Sequence, residues 1–346
     1  MNKTRIKHSS PYIDEKAERY ILKVLRSGNI STGETVREFE KKLSEFVNVK
    51  HCVCVSSGTS ALYLILRYLK EISGKDQVII PSFTCPAILN AVKFAGAVPV
   101  FSDIQRDTMC LSVEDVKKKI NDRTIAIVFV HSFGYPADLG EFLKTDIKII
   151  EAIAQSIGAK TGDKGYASFS SFYATKIITT GEGGAVFSND AELVNQVRDF
   201  INYDKKEYAE NIRFNFKMSD IQAALGISQL ENIEFILGAR KKIAKIYYEE
   251  LSDIKVKLPP KTGIFYRFVV DVGKNSDDII QKAREKGIEV DKPIYKPLHL
   301  FYGQAGQLPV TEQVYRNSIS LPIHPRMTTE DAKAVAYEIR RLLSSC

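Results

Sequence analysis

The chain has 346 residues, of which 44% are hydrophobic and 26% charged, and carries a formal net charge of +7. It is long enough for a large buried core and two folded parts. Its cations are scattered: Lys117-Lys118-Lys119 and Arg240-Lys241-Lys242 sit in helical stretches and read as solvated faces, which argues against a nucleic-acid partner.

Helical periodicity covers 12–26 and 34–46, with a break at Ser27-Gly28-Asn29. The polar residues 1–10 do not read as a leader, and no apolar run is long enough to span a bilayer. A strand at 51–55 puts Cys52 and Cys54 on one face, as core residues. The five cysteines (Cys52, Cys54, Cys85, Cys110 and Cys346) are odd in number and lack paired metal spacing, which predicts reduced cytoplasmic thiols and no metal site. Further strands are predicted at 77–81, 98–102, 125–130, 147–151, 167–172 and 185–188, with helices at 59–72, 86–94, 112–120 and 139–143 between the earlier ones. Near-continuous apolar strands separated by helices predict an α/β fold whose seven-stranded sheet is mostly parallel and covered by helices. After residue 190 the texture changes to helices at 218–236 and 239–251, a turn at Leu258-Pro259-Pro260, a strand at 264–272, and helices at 277–286 and 329–343. The expected division is a large domain over 1–236 and a smaller α+β domain over 237–346.

In an open α/β sheet, ligands bind beyond the C-terminal ends of the strands. After the first strand comes Ser56-Ser57-Gly58-Thr59-Ser60-Ala61, which opens a helix. Its small residues and the helix dipole suit a phosphate, while plain N-capping explains the same residues without a ligand. After the sixth strand, Ser170-Ser171-Phe172-Tyr173-Ala174-Thr175-Lys176 runs into Thr179-Thr180-Gly181-Glu182-Gly183-Gly184. A lysine held there in a partly apolar site can act as an amine nucleophile, whereas a lone lysine elsewhere is ordinarily a surface residue. His131 reads as a structural histidine near the Gly134 turn, with substrate contact as the alternative. Asp103 reads as shaping the turn before the next helix and Asp138 as a cap. His299 and His324 are placed near the substrate entrance without an assigned role.

The ordered blocks SSGTSAL, PSFTCPA, FVHSFGYPAD, IIEAIAQSIGA, SSFYATKIITTGEGG, FNFKMSDIQAALGISQL and SLPIHPRMT closely resemble the DegT/DnrJ/EryC1/StrS family, from about Tyr12 to the C-terminus. These are fold type I aminotransferases that use pyridoxal phosphate (PLP) and mostly act on nucleotide-linked keto sugars. The resemblance implies that Lys176 forms the Schiff base with PLP and shuttles a proton. It implies that Gly58, Thr59 and Ser171 bind the cofactor phosphate. Asn215 would reach the phosphate from a neighbouring subunit, which makes a homodimer with shared sites the expected assembly. Gln155 would contact the pyridine hydroxyl or the carboxylate of the amino donor, expected to be glutamate.

Three positions depart from the family pattern. Ala152 stands where the family has the Asp that pairs with the pyridine nitrogen and makes the ring an electron sink. Glu151 is adjacent, but neighbouring strand residues point to opposite faces. Cys85 replaces an aromatic residue that stacks on the ring, and Lys217 replaces an Arg. The expected activity is transfer of an amino group from an amino acid to a keto sugar nucleotide. The alternatives raised by Ala152 are altered PLP chemistry or a noncatalytic binder of PLP or a sugar nucleotide.

Overall fold

The computed structural model describes residues 6–135, 137–204 and 212–344, so Cys346 lies outside it. Two helices come first, α1 (Glu15–Ser27) and α2 (Glu34–Val47). The Asp14 side chain caps α1 by accepting the Ala17 N–H at 2.9 Å, and Gly28 at φ 74° ends it. The cap of α2 comes from far along the chain. Buried Asp220 accepts the N–H groups of Gly33 at 2.8 Å and Val36 at 3.0 Å, and so fastens the start of α2 to a later helix.

Then strands and helices alternate: β1 (His51–Val55), α3 (Gly58–Ser73), β2 (Gln77–Pro81), α4 (Pro86–Phe94), β3 (Val98–Ser102), α5 (Val113–Lys119), β4 (Thr124–Val130), α6 (Gly140–Leu143), β5 (Lys148–Ala152), β6 (Ala167–Ser171), β7 (Gly184–Ser188) and α7 (Ala191–Ile201). The seven strands form one sheet in the order β1-β7-β6-β5-β4-β2-β3. Only β7 runs against its neighbours, so the sheet is mostly parallel, as expected. All seven residues of β4 are buried, which fits a central strand covered on both faces.

The remaining elements are α8 (Asp220–Glu231), α9 (Ile233–Leu251), β8 (Phe268–Asp271), α10 (Asp277–Glu285), α11 (Pro309–Asn317), β9 (Ser318–Leu321) and α12 (Thr329–Ser344). Strands β8 and β9 pair antiparallel. The first turns of α9 place Ile233, Ile236 and Leu237 in the core cluster around α2 and α8, while Ile243, Tyr247 and Leu251 belong to the cluster around β8, β9 and α12. The predicted break at 237–238 is absent. Gly238 sits on the exposed face of a continuous α9, and the helix boundary falls at Asn232 instead. Helices α7 and α11 and strand β9 were not foreseen. The strand predicted at 264–272 shrinks to Phe268–Asp271, because the backbone of Ile264 and Arg267 bonds to Gly134 and Phe133 rather than to a strand.

The helix α8 motif AALGISQL carries a glycine for a packing reason. A Cβ at Gly226 would lie 2.6 Å from Phe39 Cε1 and 2.9 Å from Cε2, and Phe39 is fully buried. Gly226→Ala is therefore expected to lower stability by about 1–3 kcal/mol through overpacking, despite the better helix propensity of alanine. Gly238→Ala meets nothing within 4 Å, and is expected to raise stability by roughly 0.5–1 kcal/mol. Urea unfolding of the two variants checks both signs.

Candidate active site

Strands β4, β5 and β6 end side by side, with Val130, Ala152 and Phe169 in register. Their side chains share a face of the sheet and line a cavity of about 320 Å³ together with Leu62 and Ile88. Around this apolar floor stand Ser57, Gly58 and Thr59, then Thr84 and Cys85, then Gln155, Ser171, Tyr173, Lys176 and Glu182. The cavity thus gathers seven of the eight expected residues: Gly58, Thr59, Cys85, Ala152, Gln155, Ser171 and Lys176. Asn215 does not line it and is exposed on the segment before α8. Wider hollows of about 620 and 780 Å³ elsewhere share no residue with this one.

An anion cradle is built at the start of α3. Ser57 and Ser60 form a capping box that takes up the Ser60 N–H. Gly58 and Thr59 are the first two helical residues, whose N–H groups have no partner within a helix. The cradle is tight: a Cβ at Gly58 would lie 2.7 Å from Ser171 Cβ, and one at Gly184 would lie 2.6 Å from the Gly58 nitrogen. Small residues here let the helix start press against the ends of β6 and β7, so its dipole and the Ser171 hydroxyl face one point. A phosphate fits this cradle, and a flat heteroaromatic ring fits the apolar floor beside it.

Lys176 sits on a closed loop. Its N–H bonds to Tyr173 O at 2.9 Å, and Phe172 bonds both to Gly183 O and, through its own carbonyl, to the Thr180 N–H. The Lys176 ammonium lies 3.5 Å from Tyr266 Oη and 4.9 Å from the centre of that ring. Gln155 is oriented by the Phe133 N–H, which donates to Oε1 at 2.7 Å and leaves the amide nitrogen as the donor for the cavity.

The acid next to Ala152 faces the other way. Glu151 is fully buried and accepts from Gly162 N at 3.0 Å, Lys164 N at 2.9 Å and Gly165 N at 2.7 Å, and pairs with His131 Nε2 at 2.8 Å. Burial alone would raise its carboxyl, but the His131 contact and the backbone N–H groups outweigh it and hold the group below the usual range. His131 is thus a buried structural partner of Glu151 and does not line the cavity, and Ala152 gives the cavity floor a methyl group.

The other singled-out residues fall outside the cavity. Asp103 shapes its own turn by accepting the Ile104 N–H at 2.9 Å, and it also caps α11, accepting from Thr311 N at 2.7 Å and Val310 N at 3.1 Å. Asp138 accepts the Gly140 N–H at 3.0 Å, at the start of α6. His299 is buried between Ser82 Oγ at 2.6 Å and Glu312 Oε1 at 3.0 Å, and His324 contacts Lys7 O at 3.1 Å. Lys217 pairs with Asp204 at 3.0 Å. Cys85 is an exposed thiol at the cavity rim. Among the described residues no group of three or more His, Cys, Asp or Glu is arranged to hold a metal ion. Sequence reasoning missed Tyr173, Glu182 and Tyr266. The first two lie inside the block that carries Lys176 and were within reach. Tyr266 sat inside a predicted strand with no local signal.

A sequence profile of the DegT/DnrJ/EryC1/StrS aminotransferase family matches residues 11–340. GDP-perosamine synthase from Escherichia coli O157:H7 is 30% identical over 356 residues, spanning 96% of this chain and 97% of its own length. PseC from Helicobacter pylori, an aminotransferase involved in pseudoaminic acid biosynthesis, superposes with a TM-score of 0.92 at 27% identity, over 99% of this chain and 100% of its own. Spr1654 from Streptococcus pneumoniae, solved in a PLP form, superposes with a TM-score of 0.92 at 25% identity, over 98% of this chain and 99% of its own.

The Glu151 hub yields a stability prediction. Glu151→Gln replaces an acceptor by an amide that turns N–H groups toward N–H groups, and is expected to cost about 2–4 kcal/mol. Because the folded carboxyl is held low, its contribution is complete above the unfolded value of about 4.3 and is lost as pH falls through the folded value. Denaturation from neutral to acid pH should show the wild-type advantage over Glu151→Gln shrinking only at the acid end.

Proposed function

This chain belongs to the DegT/DnrJ/EryC1/StrS aminotransferase family, and from that premise we propose that the cavity moves an amino group from an amino-acid donor, glutamate, to a keto sugar carried on a nucleotide. The protein is an aminotransferase and its cofactor is pyridoxal phosphate. Relatives named for sugar-nucleotide products support the substrate class. The observation that carries the reading is the convergence of the α3 start, Ser171 and Lys176 on one cavity with an apolar floor.

In this reading the Gly58 and Thr59 amides and the Ser171 hydroxyl hold the cofactor phosphate, Lys176 Nζ makes the covalent attachment, and the Gln155 amide donates to an oxygen on the ring. Cys85, at the cavity rim, would border the ring. When bound, the cofactor supplies the carbonyl that takes up nitrogen and the ring that withdraws electrons from the carbon being deprotonated. Lys176 holds and moves the proton at Nζ between carbon and cofactor. Ala152 brings no acid to the ring, and the Gln155 amide is the polar group placed to contact a ring oxygen. Leu62, Ile88 and Phe169 keep water from the floor, which strengthens each polar contact above it.

The exposed Asn215 and the partly buried Lys217 lie outside the cavity of their own chain, which supports a homodimer in which that segment completes the neighbouring site. The two-part division at residue 236 and a cytoplasmic setting, consistent with free Cys52, Cys54, Cys85 and Cys110, belong to the same proposal. Altered chemistry and a noncatalytic binder are not favoured, since the named relatives are aminotransferases and synthases.

Borohydride reduction of the protein with pyridoxal phosphate, followed by peptide mapping, should place the label on Lys176 and lose it in Lys176→Arg. A label elsewhere, or none, removes the assignment. Ala152→Asp should raise aminotransfer to a keto sugar nucleotide by roughly tenfold, the effect of about one pKa unit of added interaction with the ring. An unchanged rate would show that the missing acid does not limit turnover.

A further inference from the structure

The side chain that approaches the Lys176 amine within hydrogen-bond reach comes from far along the chain and has no place in the scheme above. Tyr266 precedes β8, is buried, and puts its phenol oxygen 3.5 Å from Lys176 Nζ, with the ring centre 4.9 Å away. It does not line the cavity; it backs Lys176 from behind.

The backbone that holds it there is unusual. Phe265, immediately before Tyr266, has φ 54°, and Phe133, in the loop after β4, has φ 58°. Both are bulky residues in the left-handed region, where such side chains are rare and backbone strain is held by surrounding contacts at functional sites. The two strained loops clasp each other. Ile264 N donates to Gly134 O at 3.0 Å, Arg267 N donates to Phe133 O at 3.3 Å, and Phe133 N orients Gln155. Gly134 has no room for a side chain: a Cβ would lie 2.9 Å from the Tyr266 nitrogen. From α9, the buried Arg240 guanidinium donates to Phe265 O and Tyr266 O, each at 3.2 Å, and to Ile323 O at 2.9 Å. One clasp therefore sets both the Gln155 amide on the cavity side of Lys176 and the Tyr266 phenol on its far side.

We propose that Tyr266 is the proton-holding partner of Lys176, accepting the proton that Nζ must lose before it can attack a carbonyl. A lysine is a nucleophile only as the free amine. In the step, the N–H bond of Lys176-NH₃⁺ breaks and an O–H bond forms on the Tyr266 phenolate, giving Lys176-NH₂ and Tyr266-OH with atoms and charge balanced. The phenolate arises beforehand by loss of the phenol proton to solvent, and the reverse transfer returns the proton to Nζ. The groups facing the phenol are Lys176 and the Thr175 hydroxyl from the loop after β6, Arg267 beside it and Arg240 from α9. Arg267 is itself held by His8 at 3.1 Å and Ser320 at 3.4 Å. Burial alone would push the phenol up, but the charges of Lys176 and Arg267 and the Thr175 contact outweigh it and bring it down to about 8.

This inference rests on the assignment of Lys176 as the carbonyl-reactive amine, and the test separates the two. The rate of pyridoxal phosphate capture on Lys176, trapped by borohydride across pH, should rise in the wild type as the Tyr266 phenol ionises, at about pH 8. In Tyr266→Phe that rise should be lost from the profile, with capture roughly tenfold slower at pH 8, because the base that takes the proton from Nζ is gone. Ultraviolet difference titration of the cofactor-free wild type should show one tyrosine ionising near pH 8, and that step should be lost in the variant. The wild-type titration does not depend on the variant folding. An unchanged capture profile in Tyr266→Phe, or a wild type with no tyrosine ionising in that range, overturns the proposal. If the wild type captures no pyridoxal phosphate, the cofactor assignment falls, and the tyrosine titration alone decides the role of Tyr266.

Discussion

The site depends first on a close approach of backbones at the start of α3. Val55 of β1 and Ser171 of β6 are both register partners of Gly184 in β7, so the two ladders end at one glycine. The peptide from Ser57 to Gly58 lies directly against it, and Gly58 lies against Ser171. A side chain at either glycine would drive the helix start away from the strand ends and move its amides off the Ser171 hydroxyl. The loop that carries Lys176 leaves β6 and returns as β7, so the same contact fixes where the amine begins. A helix dipole acts only over its first turn, so the phosphate cradle and the covalent anchor have to be built within this one junction.

The second constraint is strand alternation in β5. Glu151 and Ala152 are neighbours, yet one sits in a hydrogen-bond hub behind the sheet and the other floors the cavity. Pleating makes this separation unavoidable, so no small adjustment brings Glu151 into the cavity. It is also occupied: three backbone N–H groups and His131 use its oxygens, and releasing them would leave buried donors unpaired. The acid is kept for folding the 162–165 turn against the sheet, and the floor of the cavity is apolar as a separate choice.

Much of this was legible in the sequence because it was written locally. The strand–helix alternation, the small residues opening α3 and the glycine-rich return after Lys176 are short-range signals with direct physical meaning, and all the large-sheet strands appear where their apolar runs lie. The illegible parts are long-range. Asp220 caps α2 and Asp103 caps α11 across the fold, and a cap donated from far away leaves no trace beside the helix it serves. Gly238 looked like a break because glycine is a poor helix former, but α9 is held by packing at both ends and carries it through on an exposed face. Helix α11 and strand β9 run together without a turn signal between Asn317 and Ser318, so no punctuation marked them.

Tyr266 shows why the most informative residue of the site was the hardest to read. Its neighbours Ile264, Phe265, Phe268, Val269 and Val270 make an apolar run that reads as a strand, and a strand would have sent Tyr266 out along a sheet. What overrides the pattern is the pair of left-handed phenylalanines, each of order 1–3 kcal/mol above a relaxed backbone. That strain persists because Arg240, buried among carbonyls, and the exchanged bonds of Gly134 and Phe133 leave the segment no lower alternative. The clasp joins the loop after β4, whose strand floors the cavity, to the segment before β8, where Phe265 packs with β8 and α12 while Ile264 and Tyr266 pack with the cluster of α2 and α8. A displacement of the segment before β8 against the loop after β4 would shift the Tyr266 phenol and the Gln155 amide together with respect to Lys176. The amine is thus referenced to the loop after β4 and to the segment before β8 at once, through one strained contact rather than through the sheet alone.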